Sequence, residues 1–298
     1  MPTLAPELTL VHSGAFPPVR ACLFDMDGLL LNTEDLYTQV TNTILAEVNR
    51  PPLTWSIKSK LQGRPGVVSL AIISAWADLP ISGEQYTKRY IELQRELFPT
   101  CAPLPGVVQL LRTLLGAGVE IAVATSSNSN SYEMKTSHLH EEVFRYFPPG
   151  QIIKGDDPRI PAGHGKPAPD IYLAALEMIN ERRRNEGKDE ITPLECLVFE
   201  DAVLGVEAGR RAGMRVVWVP HEGLREVYQG REEEVLAGLC EEHAGDTGNA
   251  IGGRVGELGD GWGELRDSLV GFGYHKYGIR VADGRAEASG QDHVAGMI

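Results

Sequence analysis

The stretch CLFDMDGLLLNTE, residues 22–34, runs an apolar segment straight into two aspartates, Asp25 and Asp27, with one residue between them and Gly28 directly after. A buried strand ending in two carboxylates that repel each other has two readings. One is a polar turn with a capping acid. The other is a site where both acids face a metal ion and a phosphate. The run before the acids is short and continuously apolar, as a parallel strand covered on both faces should be. Three more runs read alike: VEIAVAT (119–125), CLVFE (196–200) and MRVVWVP (214–220). Helical patterns separate them. PGVVQLLRTLLGAG (105–118) opens on Pro105 and closes on Gly118, the usual proline-first, glycine-last asymmetry. APDIYLAALEMINERRR (168–184) puts Ile171, Ala174, Ala175 and Met178 on one face, and VLGVEAGRRAG (203–213) ends on Gly213. This alternation predicts an α/β fold, a doubly wound parallel sheet of Rossmann-like form with right-handed crossovers.

One region breaks the alternation. Between Glu34 and Pro103 the patterns are helical, over 33–49, 66–79 and 82–98, and no strand is evident. A helical unit inserted after the first strand is the expectation. The predicted organisation is a loose N-terminal arm (1–18), a core (19–34 and 104–242), a helical insert (35–103) and a glycine-rich loop with a C-terminal tail (243–298). Within that last part, 243–264 reads as a flexible loop and the residues after about 280 as disordered.

In an open parallel sheet, ligands bind beyond the carboxyl ends of the strands. The residues that follow each apolar run therefore carry the chemistry. They are Asp25 and Asp27, then Thr125, Ser126 and Ser127, then Glu200 and Asp201; Lys166 lies between the last two groups, in GKPAPD. Acids, hydroxyls and one lysine can hold one magnesium ion and one phosphate, because Mg²⁺ takes hard oxygen ligands in near-octahedral geometry. Asp25 and Asp201 are the direct carboxylate candidates. Glu200 could bind directly or through water, and the main chain at Asp27 could add a carbonyl. Thr125 and the amides of Ser126 and Ser127 could cradle phosphate oxygens, with Lys166 offsetting the crowded negative charge. Each piece also has a plainer reading: a turn at Asp25–Asp27, an N-cap at Thr125–Ser127, a solvated lysine at 166, a helix cap at Glu200–Asp201. Asp156, Asp157 and His164 read as loop residues, and Trp55, Trp76 and Trp218 as packing.

Composition bounds the partners. The chain has 298 residues, 42% of them hydrophobic, and a formal net charge of −13. So acidic a surface repels polyanions, which argues against a nucleic acid polymer or an anionic membrane as partner. The four cysteines, Cys22, Cys101, Cys196 and Cys240, form no CxxC pair and fit a reduced, cytoplasmic protein. No apolar segment approaches the roughly 20 residues of a membrane helix, and the N-terminus shows no secretion signal.

The segments DMDGLLLNTE, VATSSN, GKPAPDIYL and VFEDAVLGVEAG, in that order, resemble the four motifs of the haloacid dehalogenase-like hydrolase superfamily. The resemblance spans about Arg20 to Pro220. Within that superfamily the chain is most similar to pseudouridine-5′-phosphatases, through FDMDGLLLNTE, AVATSSN, MKTS (134–137), GDDP (155–158) and CLVFEDA. The resemblance implies that the helical insert is a cap domain. It also implies a Mg²⁺-dependent phosphatase acting on a small phosphorylated metabolite, pseudouridine 5′-phosphate or a similar nucleotide or sugar phosphate. Asp25 is the implied nucleophile that forms an aspartyl-phosphate, and Asp27 the implied proton donor and acceptor, with its pKa raised by clustered acids. Asp25, Asp27, Glu200 and Asp201 are the implied metal residues; Thr125, Ser126, Ser127 and Lys166 the phosphate residues. Arg64 in the insert and Asn32, which stands where many relatives carry aspartate, are candidates for substrate contact. A monomer is the default. Competing readings are a sugar-phosphate mutase, a glycerol or deoxy-sugar phosphate phosphatase, and a non-catalytic phosphate-binding protein. A haloacid dehalogenase would leave the metal acids and Asp27 without a role.

Overall fold

The computed structural model describes residues 16–240 and 255–281. Its centre is a parallel sheet in the order β3-β2-β1-β4-β5-β6. These strands are β1 (Ala21–Phe24), β2 (Glu120–Ala124), β3 (Ile152–Ile153), β4 (Cys196–Glu200), β5 (Arg215–Trp218) and β6 (Gly263–Leu265). β1 lies in the middle, with Phe24 level with Val123 on one side and Phe199 on the other. Its side chains are wholly buried, which is why its sequence does not alternate.

Helices cover both faces. One apolar cluster joins α5 (Val107–Gly116), through Val107, Leu110, Leu111 and Leu114, to Phe24, Val123 and Phe199. The other joins α7 (Asp170–Asn185) and α8 (Val203–Arg211) to Leu23, Val198 and Trp218. Short α9 (Glu222–Val227) and α10 (Glu232–Ala237) follow β5.

Between β1 and α5 the chain forms α1 (Thr33–Glu47), α2 (Trp55–Lys58), α3 (Gly66–Ala77), α4 (Gly83–Leu97) and a 3-10 turn at Phe98–Thr100. These helices have a small core of their own, built on Val40, Ile44, Ile73, Tyr86 and Leu93. In α4, Tyr86 and Leu93 are two turns apart on one face, with Tyr90 and Leu97 beside them. A reciprocal cap starts α4: the Ser82 hydroxyl accepts from the Gln85 amide (3.2 Å), and the Gln85 side chain accepts from the Ser82 amide (2.8 Å). The two connections to the sheet run side by side, since Leu104 donates to the Leu30 carbonyl and Asn32 to the Ala102 carbonyl, each at 3.0 Å.

The C-terminal region differs from expectation. Residues 255–281 are ordered onto the sheet, and Gly263–Leu265 adds a sixth strand beside β5. Leu269, Phe272, Tyr277 and Ile279 join the core. Glycine marks close approach here: a side chain at position 263 would collide with Leu236. Sparse hydrophobes at uneven spacing hide such a segment, because its apolar residues meet a surface supplied by other elements. At the other terminus, Phe16 and Pro17 also pack. Phe16 meets Trp262 edge to face at 5.4 Å, and Arg215 donates to the Pro17 carbonyl at 2.7 Å. The remainder of the predicted arm (1–15), the loop at 241–254 and the tail at 282–298 lie outside the described residues. Among the described residues, no helix is long and apolar enough to cross a membrane.

Candidate active site

Asp25 takes the position just past β1, where its amide still donates to the Phe199 carbonyl (3.0 Å) and so continues the ladder. The chain then turns sharply. Gly28 has φ +81°, and a Cβ there would overlap the Asp201 carboxylate and crowd Glu34. Only glycine tolerates both demands. The Gly28 amide donates to the Thr33 hydroxyl (3.1 Å) and the Leu31 carbonyl (2.9 Å). Thr33 thus braces this turn instead of capping α1.

Asp25, Glu200 and Asp201 are buried, and each offers an oxygen within 4.8 Å of the other two. Lys166 is nearly as buried; its ammonium donates to Asp25 and, at 2.5 Å, to Glu200. Tyr172 on α7 donates to the same Glu200 oxygen (2.5 Å). The other Glu200 oxygen accepts from the Asp201 and Ala202 amides (3.1 and 3.2 Å). Glu200 thus accepts from four donors and holds the Lys166 ammonium beside Asp25. Gly205 makes room for it, since a Cβ there would overlap the Glu200 carboxylate. Burial pushes the Asp25 carboxyl well above the usual carboxylate range; Lys166 opposes this, while Glu200 and Asp27 add to it. Asp201 is raised as well, by burial and then by Glu34, Glu200 and Asp25. Buried acids that offer only oxygen, gathered within 4.8 Å of one another, are what a hard divalent cation takes, so the donor set fits such an ion.

Asp27 is a correction to the sequence reading. Its carboxylate turns away from that group toward Lys135 (2.6 Å) and the Ser127 hydroxyl (2.6 Å). Its pKa lies below the ordinary aspartate value, not above it. Burial raises it, but the charge and hydrogen bond of Lys135 and the hydroxyls of Ser127 and Thr33 prevail. The clustered-acid expectation fails because Lys135, on α6 (Ser129–Thr136), sets a positive charge against Asp27. That lysine is fully buried. Its only linear sign was its place in the MKTS segment, ten residues after Thr125.

The loop after β2 lies alongside. Thr125 is fully buried and accepts from the Ser127 amide (3.1 Å), Ser127 faces Asp27, and Ser126 is exposed. α6 is capped by Asn128, whose side chain accepts from the Ser131 amide (2.9 Å). Asp156, read as a loop residue, accepts from the Ser129 amide and hydroxyl (3.0 and 3.1 Å) and steadies the same helix start.

The insert also reaches the acids. Gln62, on the connection between α2 and α3, donates to Asp201 (3.2 Å) and is buried; the sequence reading missed it. Arg64, two residues on, is half-buried. The Asn32 side chain accepts from the Ala102 amide (2.8 Å), so its oxygen is spent on joining the two connections. Trp55 does more than pack: its ring stacks on His221 (4.5 Å between centroids), with the Lys58 ammonium over it at 4.4 Å. Trp218 donates from its indole to the Asp201 carbonyl (2.8 Å) and so braces the acidic loop.

This arrangement of strand-end carboxylates around one lysine defines a class, and comparison with known proteins agrees with it. A family model of haloacid dehalogenase-like hydrolases matches residues 19–213, and the chain belongs to that family. Among its relatives, the probable pseudouridine-5′-phosphatase of Saccharomyces cerevisiae is 46% identical over 75% of this chain and 91% of its own. The mitochondrial (DL)-glycerol-3-phosphatase 1 of Arabidopsis thaliana is 38% identical, covering 74% of this chain and 70% of its own. A putative β-phosphoglucomutase structure from Thermotoga maritima superposes with a TM-score of 0.52 at 28% identity, covering 73% of this chain and 97% of that one.

Proposed function

We propose that this protein is a Mg²⁺-dependent phosphatase that hydrolyses a small phosphomonoester, pseudouridine 5′-phosphate or a similar nucleotide or sugar phosphate. The observation that carries the reading is the meeting of Asp25 from the end of β1, Glu200 and Asp201 from the end of β4, and Lys166 from the connection before α7. It sets the Asp25 carboxylate against one buried cation at the ligand edge of the sheet.

Asp25 attacks phosphorus in line: its oxygen–phosphorus bond forms as the ester bond to the leaving oxygen breaks. Asp27 gives a proton to that oxygen, having taken it from the bound phosphate monoester or from solvent as the negative charge of the phosphate arrives beside it. A water then attacks the phosphorus, its proton passes to Asp27, and the Asp25 bond breaks to release inorganic phosphate. Lys166 holds the developing charge, and Thr125, Ser126 and Ser127 bind the phosphoryl oxygens. Asp25 and Asp201 would hold Mg²⁺ with the Asp27 main chain, Glu200 standing behind them. Bound there, the ion supplies the charge that lets an anionic nucleophile approach an anionic ester.

The insert supplies selectivity, with Arg64 as a substrate-facing candidate in the cap it forms. The relative named as a glycerol-3-phosphatase makes glycerol phosphate the second substrate to test. Four free, buried cysteines agree with a reducing compartment such as the cytoplasm.

A panel of phosphate monoesters with Mg²⁺, ranked by kcat/KM for phosphate release, tests the reading. Asp25→Asn should abolish release; a variant that keeps it overturns the nucleophile assignment. A sugar monophosphate that is isomerised without phosphate release would instead indicate a mutase. Mg²⁺ binding only the folded chain should raise Tm in wild type and not in Asp201→Asn.

A further inference from the structure

Lys135 makes contacts that reach beyond the acids. Its ammonium, fully buried, donates to three groups: Asp27 (2.6 Å), the Ser127 hydroxyl (2.6 Å) and the Tyr37 hydroxyl (3.0 Å). An ammonium has three N–H bonds, so all are used. Ser127 in turn donates to the second Asp27 oxygen (2.6 Å). The carboxylate is therefore gripped at both oxygens, with its remaining exposed edge left for a ligand.

Two aromatic rings pack against the same ammonium, Tyr37 and Phe98, each with its centroid 5.2 Å away. They come from the two connections of the insert: Tyr37 from α1 on the way out, Phe98 from the 3-10 turn on the way back. The returning connection is also fastened to α6. The Cys101 thiol donates to the Lys135 carbonyl (3.1 Å), and a His138 ring nitrogen meets the Cys101 carbonyl (2.8 Å). One lysine thus touches Asp27, the loop after β2 and both roots of the insert.

We infer that Lys135 is a positioning residue that fixes the direction of the Asp27 carboxylate toward the leaving oxygen and sets that direction by the seating of the insert. The inference rests on the proposed roles of Asp25 and Asp27. Without Lys135 the carboxylate keeps only the Ser127 and Thr33 hydroxyls and swings off the line on which it must hand over and take back a proton. Both half-reactions use that proton: the first when the leaving oxygen is protonated, the second when water is deprotonated.

The test is Lys135→Met, assayed with an alkyl phosphate and with p-nitrophenyl phosphate, whose phenolate departs without a proton. The alkyl ester should lose about 10²-fold in kcat, the scale of a 1 Å misplacement, while KM changes by less than about threefold. With p-nitrophenyl phosphate, phosphorylation of Asp25 should stay fast and hydrolysis become slow. A burst of p-nitrophenolate, one per active site, should then precede a slow steady state. A merely structural role would lower both substrates together without a burst, and that result, or an unchanged kcat, overturns the inference. Because the comparison is made within one sample, the ratio of kcat/KM for the two substrates, which reports phosphorylation of Asp25 alone, does not depend on the folded fraction. Tyr37→Phe, which keeps the charge and removes one acceptor, should shift the same ratio in the same direction, and an unchanged ratio counts against the inference. Asp25→Asn run in parallel separates the two readings: activity there refutes the nucleophile, whereas an inactive Asp25→Asn with a burst-free Lys135→Met refutes only the positioning role.

Discussion

At the scale of single residues, the site depends on what is absent as much as on what is charged. Gly205 faces the Glu200 carboxylate so closely that a methyl group would displace it. Gly205→Ala should therefore leave a folded protein whose phosphate release falls by about 10²-fold, since Glu200 can no longer hold Lys166 in place; circular dichroism and steady-state kinetics on the same preparation check this. Retained activity would mean that Glu200 is not needed to orient the lysine. The residues that end apolar runs, Asp25, Asp27, Thr125, Glu200 and Asp201, were legible in the sequence because strand ends on one sheet edge share a neighbourhood whatever their separation along the chain; Lys166 was legible from its GKPAPD segment. Lys135 and Gln62 were not. Each reaches the acids through the phase of a helix or the path of an insert, and linear spacing encodes neither. Missing Lys135 is also why the shift at Asp27 was expected with the wrong sign.

At the scale of elements, the long helices of both units followed from apolar periodicity and caps, while the shortest pieces escaped. β3 has two residues and β6 three, too few for a pattern, and α6 is an eight-residue polar helix. Where the cap chemistry is explicit, its worth can be measured. Ser82→Ala should cost about 1 kcal/mol of stability in urea titrations, because the Gln85 amide loses its acceptor at the start of α4. Activity at saturating substrate should be unchanged, as α4 lies in the insert core and carries none of the site's acids. A loss below about 0.3 kcal/mol would show that the reciprocal bond from Gln85 suffices.

Across the whole molecule, the C-terminal segment adds the edge strand of the sheet and brings a pH dependence of its own. Glu264 on β6 has its pKa below the ordinary 4.5. Partial burial raises it, but hydrogen bonds from Lys276 and Tyr277 and the charge of Lys276 outweigh that, with Arg266 helping. A lowered folded value means stability that is complete above pH 4.5 and drains away as pH falls through the lower folded value. Urea unfolding at about pH 3 to 6 should show a steeper acid loss for wild type than for Glu264→Gln. Identical slopes would remove Glu264 from the account. The family match ends at residue 213, so the ordered region 255–281 lies beyond it.

The sequence by itself determined the α/β class, the helical insert and the acids and lysine of the sheet edge. These rest on local rules: apolar runs make covered strands, periodic runs make helices, and reactive groups gather where parallel strands end. Only the tertiary structure decided which way each carboxylate faces, that Glu200 serves Lys166, that Lys135 grips Asp27, and that a glycine-rich segment completes the sheet. Those outcomes depend on contacts between elements distant along the chain, where direction and burial are set by packing and leave no period to read.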